Sequence, residues 1–346
     1  HKADKSKDSL PARLFREAKC AVLLLRPGAS GGQRSGRILV PTAGGPHATE
    51  ALKLADALTI LPDASCGIDQ QAPGGVDALY VEPNIGPEAQ QVGEQILNKA
   101  VRKALGDPAG LVRAARGCDV VLCLSGVTPA AAARGADMAD NIRLGLAAVR
   151  AGADLGARVL LSSSAAVYGN PGAGAAPCAE DGPARPLSDY GRAKLEMERQ
   201  AAALAADLGV AVTSLRIGNI AGVDAILGGW RPGFRLDRFA DGRTPDRSYI
   251  GAATLARVLG DLTRAPDLPP LLNLAAPGVV EMGALLEAAG LEWTPQPAPK
   301  TAIARVELST KRLETVTEFT PDDSLPATMV AQWRMLETET TGAPPR

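Results

Sequence analysis

Two stretches of sequence decide the fold, CDVVLCLSGV at residues 118–127 and ARVLLSSSAAVYG at residues 157–169. Each is a short apolar run that ends in serine or glycine residues, which is typical of a buried strand followed by a loop. The segment between them, near residues 137–153, has the pattern of a helix. A strand, a helix and a second strand in this order indicate a βαβ unit with parallel strands.

The same alternation continues on both sides of this unit. Further strands are predicted at 20–28, from 36, at 76–83 and within 209–222, and further helices at 87–105, from Tyr190, at 251–264 and at 281–289. Short apolar strands that alternate with helices predict an α/β protein with a doubly wound, Rossmann-like parallel sheet. After residue 222 the alternation loosens, and Gly, Pro, Arg and Trp residues predict a small C-terminal substrate-binding cap.

The overall composition argues against several classes of partner. The 346 residues include 37 basic and 38 acidic side chains, so we expect no electrostatic attraction to nucleic acid or to an anionic membrane. Aromatic residues are only 3% of the chain, which argues against a surface that stacks on RNA bases. No apolar run approaches the ~18 residues of a membrane-spanning helix, and the charged start HKADKSKD is not typical of a signal peptide.

Cysteine and histidine usage indicates the compartment and argues against some catalytic groups. The cysteines are odd in number and contain no C-x-x-C pair, so we expect reduced thiols in the cytoplasm. They are Cys20, Cys66, Cys118, Cys123 and Cys178. The chain has two histidines, His1 and His47, which makes a Ser-His-Asp triad or a multi-histidine zinc site a poor expectation. We therefore expect no metal ion and a general base other than histidine.

Tyr190 and Lys194 lie four positions apart in YGRAKLEMERQ, residues 190–200. On a helix this spacing places both side chains on one face, about one turn apart. The pair is either an exposed helix face or an acid–base pair in which an ammonium lowers the pKa of a phenol. Ser164 ends a predicted buried strand 26 positions upstream, and the loop between is rich in Gly and Pro. Such a loop can return the helix start to the strand end.

This arrangement resembles the short-chain dehydrogenase/reductase superfamily, and within it the extended branch of NAD-dependent epimerases and dehydratases. The resemblance covers about residues 107–330. The segments that carry it are CDVVLCLSGV, ADNIRLGLAAVRAG, VLLSSSAAVYGNP, SDYGRAKLEME, SLRIGNIAG and DRSYIGAATLARVL. They stand in the family's order and roughly at its spacing.

The resemblance implies a role for each of three residues. Ser164 would hydrogen-bond the reacting oxygen, Tyr190 would transfer the proton, and Lys194 would bind the cofactor ribose and lower the tyrosine pKa. These residue types suit the chemistry, because a carbinol that loses a hydride must also lose its hydroxyl proton. A phenol with a pKa of ~10 is a poor base at neutral pH, and lowering that pKa by ~3 units takes about 4 kcal/mol.

Further contacts follow from the same resemblance. Ser125 and Ser163, together with Tyr190 and Lys194, would line the cofactor site. Asn219 and Arg247 would contact a phosphate of a nucleotide-sugar substrate. From the residues alone, Asn219 is equally a turn residue after a strand, and Arg247 a member of a surface ion pair. The sequence departs from the family at Ser248 and Gly251, where acidic and bulkier residues are usual, so we expect an unusual substrate pocket.

The glycine-rich turn that such a family needs for the cofactor pyrophosphate is poor in this chain. Its best candidate is ILVPTAGGPHATEALKLA, in which Gly44 and Gly45 are the candidate cofactor contacts. Thr42 and Ala48 stand where the motif has glycine, and Pro46 removes a backbone N–H donor. Glu82, after a predicted strand, is placed either to bind the ribose of NAD or as a surface charge. We expect NAD, with NADP possible.

The first 105 residues resemble universal stress proteins instead, but they lack the glycines of that family's ATP loop. The chain is therefore either a divergent reductase or a hybrid whose sheet is completed by foreign strands. The predicted segments are 1–106, stress-protein-like and supplying the first part of the sheet; 107–222, Rossmann-like and catalytic; 223–335, the cap with returning elements; and 336–346, a disordered tail.

Two functions from different classes remain open at this point. The first is an NAD(P)-dependent oxidoreductase, epimerase or dehydratase that acts on a nucleotide-sugar or a similar hydroxyl or keto substrate. The second is a non-catalytic nucleotide-sensing or assembly protein that keeps the fold. The serine, tyrosine and lysine favour the first, and the poor glycine turn favours the second. A homodimer is a further expectation from the resemblance.

Overall fold

The computed structural model describes residues 22–26, 37–39, 119–172 and 174–341. The chain divides into two compact units. One unit contains His1–Ser162 and Glu196–Thr213, and the other contains Ser163–Leu195 and Ser214–Arg346.

The described strands are numbered in chain order. They are β1 (Val22–Arg26), β2 (Arg37–Leu39), β3 (Val120–Cys123), β4 (Arg158–Ser164), β5 (Val212–Ile217), β6 (Asn219–Ile220), β7 (Arg235–Arg238), β8 (Asp246–Arg247), β9 (Tyr249–Ile250), β10 (Leu271–Leu274), β11 (Val280–Glu281), β12 (Thr294–Pro297) and β13 (Arg305–Val306).

The described α-helices are α1 (Pro129–Ala133), α2 (Asp140–Leu155), α3 (Asp189–Leu208), α4 (Ala252–Arg264), α5 (Met282–Ala288) and α6 (Pro326–Thr341). Short 3-10 helices cover Ala165–Val167, Leu313–Thr315 and Pro321–Ser324.

The first unit is built on a sheet in which β3 and β4 are parallel, with Val120 paired to Arg158. Helix α2 connects these two strands, as the sequence predicted. On the other side of β3 lies β1, and β2 follows it at the edge. Both β1–β3 and β1–β2 are antiparallel pairs. The α/β sheet with flanking helices is thus confirmed, and its antiparallel edge is a common addition to parallel sheets.

The core of the first unit lies between α2, the sheet and the second half of α3. Its buried members include Val121, Val149, Val159, Leu161 and Met197. Two glycines of α2 bring the helix close to its neighbours. A Cβ atom on Gly145 would lie 2.6 Å from Cγ of Met197, and one on Gly152 would lie 2.3 Å from Cγ2 of Val159. Small residues at these two positions therefore set the depth to which α2 packs.

The second unit begins at the end of β4 and contains the continuation of β5, which pairs in parallel with β10. Three smaller sheets follow, β11-β8-β13, β12-β7 and β6-β9. They surround an apolar core that includes Leu236, Tyr249, Leu285, Leu286, Met329 and Val330. Residues 223–335, which the sequence analysis predicts as a cap, lie within this unit.

Several segment predictions can be compared with these bounds. The helices expected at 251–264 and 281–289 are α4 and α5. The tail expected to be disordered from residue 336 starts within helix α6, which continues to Thr341. The predictions at 76–83 and 87–105 lie outside the described residues. In the part of the chain that the structure covers, no helix is both long and apolar enough to cross a membrane.

Candidate active site

Ser164 is the last residue of β4, and its side chain caps the turn that follows. The backbone of Ser164 is extended, and its Oγ accepts a hydrogen bond of 3.2 Å from the N–H of Ala166. This is the ordinary role of serine at the start of a helical turn, because its short hydroxyl satisfies a free backbone donor. The strand therefore ends abruptly at Ser164, with the hydroxyl held at the strand end.

Helix α3 begins beside this turn. Its first turn is capped by Ser188, whose Oγ accepts a hydrogen bond of 3.1 Å from the N–H of Gly191. Gly191 also lies against the turn after β4, where a Cβ atom would stand 2.5 Å from the carbonyl oxygen of Ala166. Only glycine permits this approach without a shift of backbone. The glycine next to Tyr190 thus brings the helix start onto the strand end, as the sequence predicted for the Gly- and Pro-rich loop.

Tyr190 and Ser164 meet at this contact. A hydrogen bond from the Ser164 side chain lowers the pKa of Tyr190, while burial of the phenol has the larger effect and raises it. The net direction is upward from the ordinary value of 10.0. Desolvation disfavours the charged phenolate, and the serine hydroxyl offsets only part of that cost. The lowering of the tyrosine pKa by Lys194 that the resemblance implied is not among the causes of the shift.

Lys194 lies one turn further along α3 and is only 3% exposed. Its Nζ lies 5.9 Å from the centroid of the Tyr190 ring. An ammonium at this distance from an aromatic ring is in the range of a cation–π contact. Burial of a lysine is uncommon and requires polar or charged surroundings. The alternative of an exposed helix face is therefore wrong for Lys194.

The remaining expected cofactor contacts are placed individually. Ser163 is buried on β4, directly before Ser164. Ser125 is buried in the first unit, in the loop after β3. That loop is held by Asn141 of α2, whose carboxamide exchanges two hydrogen bonds of 3.0 and 2.9 Å with the backbone of Val127. The expected contacts Gly44 and Gly45, and Glu82, lie outside the described residues.

Asn219 lies just beyond the end of β5 and forms the short parallel pair β6–β9 with Tyr249 as its register partner. Its side chain is half-buried. Its backbone N–H donates to the carbonyl of Ser248 at 2.9 Å. Asn219 is therefore part of a small sheet and not only a turn residue. Residues Tyr249 and Asp224, which fix its surroundings, were missed by sequence reasoning.

Arg247 does not form the surface ion pair that was its alternative interpretation. Its guanidinium donates to the carbonyl oxygens of Asp246 at 2.6 Å, Ile303 at 2.8 Å and Ala304 at 3.4 Å. Burial lowers the pKa of Arg247 below its ordinary value. Among the residues that the structure describes, no carboxylate lies within ion-pair distance of Arg247.

The two departures from the family pattern have structural partners. Ser248 is buried, donates to the carbonyl of Gly278 at 2.7 Å and accepts from the N–H of Leu308 at 2.9 Å. At Gly251, a Cβ atom would lie 2.2 Å from Oε1 of Gln332 in helix α6. The room that a bulkier residue would need is therefore occupied by a side chain of this protein.

A buried polar network in the second unit was also missed by sequence reasoning. The Tyr168 hydroxyl donates to Oδ1 of Asn273 at 2.7 Å and accepts from Arg216 at 3.1 Å. Glu180 accepts from the N–H of Asn273 at 3.0 Å. The signal available in the sequence is the single amide in the apolar strand LLNL, because a polar residue on a buried strand must find partners. The network fixes the loop that runs from Ser164 to Tyr190.

Cysteines and metal ligands complete the description of reactive groups. The side chain of Cys123 is buried and that of Cys178 is half-buried. Across residues 119–172 and 174–341, no group of three or more His, Cys, Asp or Glu side chains is arranged to hold a metal ion.

Comparison with protein families gives a match that overlaps this site. Residues 75–229 match the sequence model of the NAD dependent epimerase/dehydratase family. The matched segment contains Ser164, Tyr190, Lys194 and Asn219. It begins after Gly44 and Gly45 and includes residues 75–105, which are part of the segment that resembles universal stress proteins. No curated protein sequence is similar enough to this chain to match it.

Solved structures with a similar fold include nucleotide-sugar epimerases and dehydratases. The UDP-glucose 4-epimerase of Thermus thermophilus in complex with NAD is 21% identical, with a TM-score of 0.52 over 66% of this chain and 83% of that chain. The Stenotrophomonas maltophila UDP-glucose-4-epimerase with bound NAD and formylated UDP-arabinopyranose is 19% identical, with a TM-score of 0.56 over 75% and 90%. The Streptomyces venezuelae dTDP-glucose 4,6-dehydratase with NAD and TYD bound is 19% identical, with a TM-score of 0.52 over 68% and 79%.

At these identities the structural similarity shows the fold alone, and the family model covers less than half of the chain. Residues 75–229 are thus similar to the NAD dependent epimerase/dehydratase family, and the chain has the Rossmann-like fold of solved epimerases and dehydratases.

Proposed function

We propose that the protein is an NAD-dependent enzyme, an epimerase, dehydratase or related oxidoreductase, that acts on a nucleotide-sugar or a similar hydroxyl or keto substrate. The observation that carries this proposal is the meeting of Ser164 and Tyr190 at the end of β4, with the buried Lys194 one turn away. The family match over this segment supports it.

The residues at this strand end fit the ribose and nicotinamide end of a dinucleotide. Ser163 and Ser164 provide hydroxyls, Tyr190 a phenol and Lys194 an ammonium, which are donors suited to ribose hydroxyls and to a carboxamide. The carboxyl ends of parallel strands are where open α/β sheets bind such ligands. When bound, the nicotinamide cofactor supplies the hydride acceptor of the reaction and a positive ring charge.

Tyr190 exchanges the substrate proton in this proposal. Because burial raises its pKa, Tyr190 holds its proton at neutral pH and is suited to donate it to a ketone oxygen. To accept a proton from a carbinol it needs nearby positive charge that stabilises the phenolate. The ammonium of Lys194, 5.9 Å from the centre of the ring, is one source of that charge.

Ser164 orients the reacting oxygen in this mechanism. Its Oγ already accepts the N–H of Ala166, so its own proton is available for a substrate oxygen or for the phenol. The Ser164 hydroxyl lowers the pKa of Tyr190, so the two hydroxyls lie near each other at the strand end. A substrate oxygen between them would be polarised by one hydroxyl and protonated by the other.

Substrate binding is assigned to Asn219 and Arg247. Asn219 follows the carboxyl end of β5, a position that favours ligand contact. Arg247 is half-buried with backbone carbonyls as partners, so its charge is not neutralised by a carboxylate within the described part of the chain. Such a guanidinium is suited to a phosphate of the substrate.

The second candidate is a non-catalytic nucleotide-sensing or assembly protein. One observation favours it, namely that the family match begins after the poor glycine turn that contains Gly44 and Gly45. If that turn does not bind the cofactor pyrophosphate, the catalytic side chains would have no bound cofactor to work with.

Titration with NADH and NADPH, followed by nicotinamide fluorescence, separates the two candidates. We expect NADH to bind and NADPH to bind more weakly. With UDP-glucose as substrate, Tyr190→Phe should reduce turnover about 10²–10⁴-fold, the range for loss of a general acid–base group. Its affinity for NADH should be unchanged. Lys194→Ala should weaken both NADH binding and turnover.

Tyr168→Phe is the matched control, because it removes a buried phenol hydroxyl outside the proton-transfer pair. The folded fraction of Tyr168→Phe should turn over substrate at the wild-type rate. No binding of NADH or NADPH at millimolar concentration would rule out the enzyme and leave the second candidate. Full activity of Tyr190→Phe would assign the proton transfer to another group. A cytoplasmic location and a homodimer stay predictions.

A further inference from the structure

Ser248 connects three segments of the second unit through its backbone and its hydroxyl. It lies between β8 and β9 and is only 2% exposed. Its carbonyl oxygen accepts from the backbone N–H of Asn219 at 2.9 Å, and its own N–H donates to the carbonyl of Val306 at 3.0 Å. Its Oγ donates to the carbonyl of Gly278 at 2.7 Å and accepts from the N–H of Leu308 at 2.9 Å. Each polar group of Ser248 thus has a partner.

Leu308 is the residue through which this hydroxyl reaches the candidate active site. Its side chain is buried and belongs to an apolar cluster that contains Val167 and Leu195. Val167 lies in the turn that follows Ser164, and Leu195 directly follows Lys194 on α3. The main chain of Leu308 is therefore bonded to the residue between β8 and β9, while its side chain packs with the turn and the helix of the site.

The neighbours of Leu308 hold the loop between β4 and α3. The N–H of Cys178 donates to the carbonyl of Glu307 at 2.7 Å, and the N–H of Ser309 donates to the carbonyl of Cys178 at 2.9 Å. These two bonds place Cys178 beside Leu308 as a parallel bridge. Segment 306–309 is thus bonded on one side to the strands of the cap and on the other to this loop.

Position 248 requires a group that both donates and accepts a hydrogen bond. The carbonyl of Gly278 can only accept, and the N–H of Leu308 can only donate. A hydroxyl serves both partners, whereas an ionised carboxylate could accept from Leu308 but has no proton for Gly278. The serine, which stands where acidic residues are usual in the family that the sequence resembles, therefore fits its two partners.

We infer that Ser248 is a positioning residue, whose hydroxyl holds segment 306–309 between the strands β8 and β9 and the candidate active site. Arg247 directly precedes Ser248, so the same hydroxyl connects the proposed phosphate contact to the elements that carry Tyr190. The inference rests on the proposed function, because the reaction that it concerns is the proton transfer by Tyr190.

Ser248→Thr and Ser248→Val form a matched pair of variants. Both add one heavy atom to the buried side chain, and they differ only in whether a hydroxyl or a methyl group can take the place of Oγ. Any cost of overlap is therefore common to both variants, and their difference reports the hydroxyl. Ser248→Ala removes the hydroxyl without adding an atom, and it is compared with the wild type in the same way if the valine variant does not fold.

Hydrogen exchange tests the inference without a ligand. In Ser248→Val the amide of Leu308 loses its acceptor and should exchange about tenfold faster or more than in Ser248→Thr, the scale of one lost buried hydrogen bond. The amide of Cys178 should change in the same direction. The amide of Val159, which donates to the carbonyl of Ala211 at 2.8 Å in the first unit, reports global unfolding. Leu308 should gain more than Val159 does.

Turnover of UDP-glucose tests the link to the reaction. The rate constant of folded Ser248→Val should be about tenfold or more below that of Ser248→Thr, since a displacement of about 1 Å in a reacting group can cost ~10²-fold. Both variants should bind NADH as tightly as the wild type. A serine that only adds stability would change the folded fraction and not this rate constant. Equal rate constants, or equal gains in exchange at Leu308 and Val159, would overturn the inference.

The outcome is separable from that of the proposed function. If the wild type binds NADH and turns over UDP-glucose, but the threonine and valine variants have equal rate constants, only the inference fails. If the wild type binds neither NADH nor NADPH, the proposed function fails and the role in proton transfer fails with it. Exchange at Leu308 then still shows whether the hydroxyl holds segment 306–309.

Discussion

Gly191 lies against the carbonyl oxygen of Ala166 so closely that a Cβ atom would stand 2.5 Å from that oxygen. Gly191 follows Tyr190 at the start of α3, and Ala166 lies in the turn that follows Ser164. The contact therefore sets how near the phenol of Tyr190 comes to the hydroxyl of Ser164. Because Gly191 has no Cβ atom, α3 can approach the turn closely, and the proposed proton transfer depends on this approach.

Gly191→Ala should reduce turnover by much more than its loss of stability explains. The added methyl group must push α3 away from the turn, which lengthens the contact between Tyr190 and Ser164. A displacement of about 1 Å in a reacting group can cost ~10²-fold in rate. Steady-state kinetics with UDP-glucose and NADH affinity, measured well below the unfolding temperature, check this.

Gly152→Ala is the matched control for this prediction. Its Cβ would meet Cγ2 of Val159 at 2.3 Å, which is an equally severe overlap in the core of the first unit. It should lower stability by about 1–3 kcal/mol and leave the rate constant of the folded protein near that of the wild type. Equal rate constants for the two variants would contradict a positioning role of Gly191.

The buried tyrosines should ionise at a higher pH in the folded protein than in the unfolded protein. Burial raises the pKa of Tyr168 and Tyr190 above 10.0, and the pKa of Tyr249 well above it, with Asp224 adding to the last shift. The chain has four tyrosines. Near pH 10, absorbance at the phenolate band should therefore show at most one ionised tyrosine in the folded protein, and about two in denaturant, where each of the four is half ionised at its ordinary pKa of ~10.

The same shifts determine how stability depends on pH. A tyrosine with a raised pKa keeps its proton longer in the folded state than in the unfolded state. Between pH ~10 and the folded pKa, the unfolded state therefore binds fewer protons than the folded state. The contribution of these tyrosines to the free energy of unfolding is complete below pH ~10 and is lost as the pH rises above that value. Ionisation of three tyrosines near pH 10 without loss of structure would contradict both statements.

Asn273 should be one of the costliest polar positions to change. Its side chain accepts from Tyr168 and donates to the carbonyls of Cys178 at 2.8 Å and Ser309 at 3.0 Å, and the residue is fully buried. Asn273→Ala leaves these groups without partners, and each such group costs ~1–3 kcal/mol. Denaturant unfolding should show a loss of roughly 3 kcal/mol or more.

Tyr168→Phe is the milder companion of this variant. It removes one hydroxyl, leaves Asn273 with its two carbonyl partners, and should cost about 1–2 kcal/mol. If both variants lose the same stability, the carbonyls of Cys178 and Ser309 are satisfied in another way and the network is not the source of the effect.

The regular elements were predictable because periodicity reports burial directly. β3 and β4 are apolar runs whose inward positions are almost all buried, and α2 lies between them where the pattern placed it. The serine and tyrosine of the candidate site were predictable for a related reason. A strand end and a helix start joined by a Gly- and Pro-rich loop can be placed near each other from the chain alone.

The partners of Asn219 and Arg247 could not be predicted in this way. Arg247 finds carbonyls of Ile303 and Ala304, more than fifty positions along the chain, and no local pattern links such distant segments. The pairing of Asn219 with Tyr249 joins two-residue strands, which are too short to leave a periodic signal. Tertiary contacts of this kind appear only in the folded chain.

The final prediction concerns Gly251 and Gln332, because the room left by the glycine is filled by the glutamine. Gln332 is not free to move away, since its Oε1 accepts from the N–H of Thr254 at 3.1 Å and its Nε2 donates to the Thr254 hydroxyl at 3.0 Å. Gly251→Ala should therefore cost about 1–3 kcal/mol through the overlap at 2.2 Å. Gln332→Ala should cost about 1–2 kcal/mol through its lost hydrogen bonds.

The double variant Gly251→Ala/Gln332→Ala separates overlap from a general weakness of this region. Removing the glutamine creates room for the new methyl group, so the double variant should be more stable than the sum of the single losses implies, by ~0.5–3 kcal/mol. Denaturant midpoints of the four proteins give this coupling energy. If the stability losses of the two single variants add exactly, the methyl group is accommodated by a backbone shift. Gln332 would then not be the reason for glycine at position 251.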